Sequence, residues 1–118
     1  MIASVDAYLG RAYERGRYDC LHFARDVWRD ATGEDLGVRL DGLLGRTDDR
    51  HVRPRHVRAF RRLAGFTDPC IVLMHGPRRD PHVGVFLRGR VLHLREEGSA
   101  FDPVEVATFG FSQVRCYA

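Results

Sequence analysis

The chain has 118 residues, 44% hydrophobic and 30% charged, with a formal net charge of +3. That is enough chain for one domain, expected over residues 1–118, and it excludes a disordered or low-complexity protein. All 19 basic residues are arginines, and so mild a positive charge does not argue for a specific nucleic-acid partner.

In chain order, Ser4 or Asp6 can cap a short helix through Val5, Tyr8, Leu9 and Ala12, ending near Gly16. A second helix is predicted from about Asp19 to Ala31. There Phe23, Ala24, Val27, Trp28 and Ala31 form one apolar stripe, and Gly33 supplies the stop. Residues 34–52 are turn-rich and charged, so a surface loop with a short helix is expected there. Arg53 to Ala64 reads as a third helix, with Pro54 in its first turn and Val57, Phe60 and Leu63 on one face.

From Cys70 the period changes. Cys70–Met74, His82–Leu87, Arg90–Leu94 and Gln113–Tyr117 are short apolar or alternating runs and read as strands. Helices followed by a small antiparallel sheet make the expected fold α+β, with N-terminal helices packed on the sheet.

No run approaches the roughly 20 apolar residues that cross a bilayer, so no membrane partner is expected. Met1–Asp6 has neither the basic start nor the apolar run of a signal peptide, and the expected place of synthesis and residence is the cytoplasm. Cys20, Cys70 and Cys116 form no CxxC pair, and the six histidines lack a metal-ligand spacing such as HxxxH, so neither a metal nor a cofactor is expected. This covers His22, beside Cys20, which reads as a helix-face residue. Arg50–Arg62 carries six arginines and two histidines. Without interleaved aromatics it reads as a solvated helix face, or a patch for an anionic polymer or a protein partner.

The chemistry-bearing residues are Cys20, His82 and His93. Phe86-Leu87-Arg88-Gly89-Arg90-Val91 predicts a hairpin turning at Arg88-Gly89, which pairs Leu87 with Arg90 and Gly84 with His93. His82 and His93 then share a face as diagonal neighbours, and Gly84 puts no side chain between them. Cys20, in the first turn of its helix, meets unpaired backbone N–H groups and the positive end of the helix dipole, which favour a thiolate. With His82 as base and His93 fixing its tautomer, this is the arrangement of nucleophilic thiol catalysis. The backbone N–H of Cys20 or Leu21 would be the oxyanion donor. Each piece also has a bland alternative, since a cysteine at a helix start or a histidine in a strand commonly serves packing alone.

Three segments resemble the NlpC/P60 family of cysteine peptidases. Tyr13-Glu14-Arg15-Gly16-Arg17-Tyr18-Asp19-Cys20 is similar to its nucleophile motif, His82-Val83-Gly84-Val85-Phe86 to its histidine strand, and His93 in Val91-Leu92-His93-Leu94 to its third, polar position. The resemblance spans residues 8–95 and is nearest to versions encoded by phages and prophages beside tail genes. It implies a papain-like fold and hydrolysis of peptide bonds in peptidoglycan stem peptides. It assigns Cys20 as nucleophile, His82 as base and His93 as orienting residue, with Tyr13, and less directly Tyr18, assisting the oxyanion. It further implies phage tail proteins as partners and the virion as a second location. Leu21-His22 stands where the family usually has Ser-Gly, a departure that bears on the substrate. Two other roles fit the same scaffold: a tail-tip component that keeps the fold without the activity, and an acyl-transferase or thioester hydrolase.

Overall fold

The computed structural model describes residues 2, 4–39, 60–77 and 79–118, with the side chains of 38 and 39 excepted. Asp19 opens the first helix, α1 (Cys20–Thr32), as its N-cap. Its carboxylate accepts from the N–H groups of Leu21 at 3.0 Å and His22 at 3.3 Å, and His22 returns to the Asp19 backbone, completing a capping box. The helix ends at Gly33, whose left-handed backbone (φ 82°) ends the helix as expected. Phe23, Ala24, Val27 and Trp28 are its buried face.

The remaining elements are a 3-10 turn (Asp6–Tyr8), α2 (Leu36–Arg39), β1 (Arg62–Leu63), β2 (Cys70–Gly76), β3 (Arg79–Leu87), β4 (Arg90–Arg95), β5 (Gly98–Pro103), α3 (Val104–Ala107) and β6 (Gln113–Tyr117). The strands form one antiparallel six-stranded sheet in the order β1-β6-β2-β3-β4-β5. The fold is thus α+β, with the long helix lying on the sheet over β3 and β4.

Alternation along the strands gives the sheet two buried faces. Leu73, Val83, Val85, Leu92 and Leu94 pack with the apolar stripe of α1. Cys70, Val72, Met74, Val91 and Cys116 point the other way and are closed over by Ala107, Val104 and Phe111. A sheet covered on both sides explains why β2 reads as a continuous apolar run rather than an alternating one.

The structure corrects several sequence expectations. The first helix, expected through Ala12, is a single 3-10 turn, because Gly10 takes φ 81° and breaks the chain before a second turn can form. Such short helices have little to offset the cost of nucleation. The turn's N-cap is Val5, with no side-chain cap, rather than Ser4 or Asp6; the Ser4 hydroxyl accepts from Asp6 N at 3.2 Å. The helix expected over 53–64 lies outside the described residues up to 59. Beyond them Arg62–Leu63 is a strand, paired with Tyr117 and Cys116. The loop expected over 34–52 does contain a short helix, α2, and its remainder from 40 on lies outside the described residues. No helix among the described residues is long and apolar enough to cross a membrane.

Candidate functional site

The turn at Arg88-Gly89 has positive φ at both residues, 52° and 82°, the backbone that a two-residue hairpin needs. It produces the register read from the sequence: Leu87 opposite Arg90, Val85 opposite Leu92, Gly84 opposite His93. A Cβ built on Gly84 would come within 2.7 Å of Val91 Cγ1 and 3.1 Å of His93 Cβ, so glycine leaves the room that Val91 and His93 occupy. His82 and His93 consequently meet edge-on, ring centroids 5.1 Å apart, with Nε2 of His82 2.8 Å from Nδ1 of His93.

The line continues. Nε2 of His93 is 2.8 Å from Oδ2 of Asp102 on β5. Asp102 pairs with Val91, so its side chain shares the face of the two imidazoles. Sequence reasoning missed it, because Gly98-Ser99-Ala100-Phe101-Asp102-Pro103 carries no alternating apolar signal and is half-buried throughout. His93 is 2% exposed, and the ring of Phe111 stacks over His82 at 5.9 Å and 9°.

Burial sets the charge of this pair. It pushes His82 down to about 3, with smaller contributions in the same direction from His93, when protonated, and from Arg79 and Arg95. His93 is lowered too, again by burial first, with Asp102 pulling in the opposite direction. Both rings are therefore neutral bases at physiological pH.

The imidazoles sit where the sheet divides. The β3–β4 ladder stops at Gly84–His93, while β3 runs on beside β2 to Arg79 and β4 beside β5 to Arg95. Beyond that rung His82 and Val83 have left β4, and the sheet forks. The N-terminal segment is fastened to β5 at the same end: Arg11 N–H donates to Ser99 Oγ at 3.1 Å, and Ser99 N–H donates to Arg11 O at 3.2 Å. The Arg11 guanidinium then lies over the rings of Tyr8 and Phe23. Phe23 in α1 is thereby tied to the segment fastened to β5.

Cys20 is half-buried and packs with the residues of the α1 face, while His82 and His93 project from the other face of the sheet. The hydrogen bonds join His82, His93 and Asp102. The thiol stands on the helix side of the sheet, across it from these three residues.

Tyr13 precedes a small loop closed by an antiparallel bridge between Glu14 and Tyr18. Tyr13 itself is half-buried against the core. Two expectations change. The Tyr18 hydroxyl donates to Asp26 Oδ2 at 2.7 Å and accepts from Arg11 Nη1 at 2.6 Å, and burial together with Asp26 pushes its phenol up. It is a structural strut rather than an oxyanion donor. Of the two backbone N–H groups expected for that role, that of Leu21 is held by the Asp19 carboxylate at 3.0 Å.

His22 is explained as well. Its Nδ1 lies 2.9 Å from Asp19 Oδ1, so the residue after Leu21 braces the helix start. Among the described residues no group of three His, Cys, Asp or Glu side chains could hold a metal ion. Within Arg50–Arg62 only Arg61 and Arg62 of the basic residues are described; both are exposed, and Arg61 exchanges backbone hydrogen bonds with Ala118 at 2.9 Å each. An open groove of about 500 Å³ is lined by His75, Gly76, Pro77, Ser112, Gln113 and Arg115, at the end of β2 and the start of β6. Neither protein-family models, curated proteins nor solved structures provide a match to this chain.

Proposed function

We propose that the protein is a cysteine-dependent hydrolase of the NlpC/P60 type, with a papain-like fold, that cleaves peptide bonds in peptidoglycan stem peptides and works as part of a phage tail. One observation carries the reading: His82, His93 and Asp102 form a hydrogen-bonded line, 2.8 Å at each step, in a chain whose Cys20 opens a capped helix. Few structural needs call for two neutral, mutually bonded imidazoles, and thiol catalysis calls for such an oriented base.

The chemistry runs in two halves. In this reading the thiol proton passes to Nδ1 of His82, the ring nitrogen that does not face His93, which requires thiol and imidazole to meet around the end of the sheet, where β3 has left β4. The Cys20 sulfur attacks the scissile carbonyl, and the resulting oxyanion is held by the Cys20 N–H with the Tyr13 hydroxyl beside it. His82 returns the proton to the leaving amine, which departs as the thioester forms. Water, deprotonated by His82, then releases the acid and restores the thiol. His93 holds the base ring in place throughout.

The test is the reactivity of Cys20. The parent should be alkylated by iodoacetamide at neutral pH faster than free cysteine, and His82→Gln should remove the advantage. A parent rate no higher than that of free cysteine would overturn the proposal.

A further inference from the structure

The hydrogen bonds at the fork have a direction, and Asp102 sets it. A carboxylate can only accept, so at 2.8 Å the proton between Asp102 Oδ2 and His93 Nε2 belongs to His93. A neutral imidazole carries one proton, and with it on Nε2 the Nδ1 of His93 is a lone pair. That lone pair faces His82 Nε2 at 2.8 Å, so the proton there belongs to His82. The remaining nitrogen of His82, Nδ1, is then a lone pair as well. We infer that Asp102 is a positioning residue that fixes the proton order of the whole line, leaving Nδ1 of His82 bare and able to accept a proton.

The placement supports this in three ways. His93 is 2% exposed, so water cannot supply a competing partner for its nitrogens. Asp102 approaches from β5, the strand beyond His93, and so acts on His82 only through His93. The ring of Phe111 covers one side of His82 and limits how the imidazole can turn to offer its other nitrogen.

Without Asp102 the line has two equivalent orders. In the second, His93 donates from Nδ1 to His82 Nε2, and His82 carries its proton on Nδ1, where it cannot act as a base. An amide in place of the carboxylate admits both orders too, since it can donate as well as accept. In a serine-protease triad this change leaves geometry intact while imposing the wrong tautomer.

The importance of the order for catalysis rests on the Cys20–His82 reading above; the order itself does not. The experiment is therefore nitrogen NMR of histidine-labelled protein, in the parent, Asp102→Asn and Asp102→Ala, alongside the iodoacetamide rate of Cys20. The parent should show both His82 and His93 protonated on Nε2 and bare on Nδ1. Both variants should show His82 protonated on Nδ1 in part of the population, with alkylation at least about tenfold slower.

A parent with its His82 proton on Nδ1, or variants whose His82 tautomer is unchanged, would overturn the inference. If Asp102→Ala does not fold, the parent spectrum and Asp102→Asn still decide. A parent with the expected tautomers but an unreactive Cys20 would uphold the proton order and sink only the hydrolase reading.

Discussion

Nε2 of His82 and Nδ1 of His93 lie 2.8 Å apart just past the last rung of the β3–β4 ladder, Gly84–His93. The pairing depends on Gly84, since a Cβ there would press to 2.7 Å on Val91 and 3.1 Å on His93. Both neighbours are fixed, one β-branched and one held by hydrogen bonds at both ring nitrogens.

Gly84→Ala is accordingly expected to destabilise the fold by about 1–3 kcal/mol, the usual cost of overpacking a core. It should also slow Cys20 alkylation by displacing His93. Denaturant titration beside the labelling rate checks both, and an unchanged midpoint would mean that the sheet relaxes without strain at this point.

The histidine pair should make stability depend on pH. Folding lowers His82 from 6.5 to about 3 and lowers His93 as well. Below about pH 6.5 the unfolded chain therefore binds more protons than the folded one, and stability falls with pH. Above it these groups have no effect. The slope is at most about 1.4 kcal/mol per pH unit for each group. Melting temperatures should hold level from about pH 8 to 6.5 and fall below it. Replacing His82 with Gln should flatten the decline, and a curve identical to the parent's would contradict the account.

The three thiols should differ sharply. Cys70 and Cys116 are buried against each other, and burial first of all raises both, Cys116 to about 11. Raised, buried thiols are poor nucleophiles. Mass spectrometry after brief native alkylation should find one adduct, on Cys20, and three after denaturation. Native labelling of Cys70 or Cys116 at a comparable rate would show that the face under Ala107 and Phe111 opens readily.

The helix start offers a separate check. Asp19 is 7% exposed and holds the N–H groups of Leu21 and His22. Asp19→Ala should cost about 1 kcal/mol. The denaturation midpoint should fall with its slope unchanged.

Much of this arrangement was legible in the sequence because it is local. Arg88-Gly89 encodes its own turn, the turn sets the register, and the register puts two histidines on one face. Asp19 and Gly33 likewise mark the two ends of α1. What escaped was decided at long range. β5 lacks an apolar pattern because it lies at the sheet edge and is half-buried throughout, so Asp102 had no signal beyond being an acid in a polar stretch. Arg62–Leu63 has a helical apolar spacing, but it is recruited as a strand by the C-terminal residues Cys116 and Tyr117. The Tyr18 hydroxyl looked available until Arg11 and Asp26 closed on it from either side.

The most direct measurement of the central claim is release of peptides from purified sacculi by the parent protein and by Cys20→Ala. The thiol-hydrolase account expects soluble stem-peptide fragments from the parent and none above background from Cys20→Ala. Equal release by the two proteins, or none by a folded parent whose Cys20 is alkylated no faster than free cysteine, would contradict it.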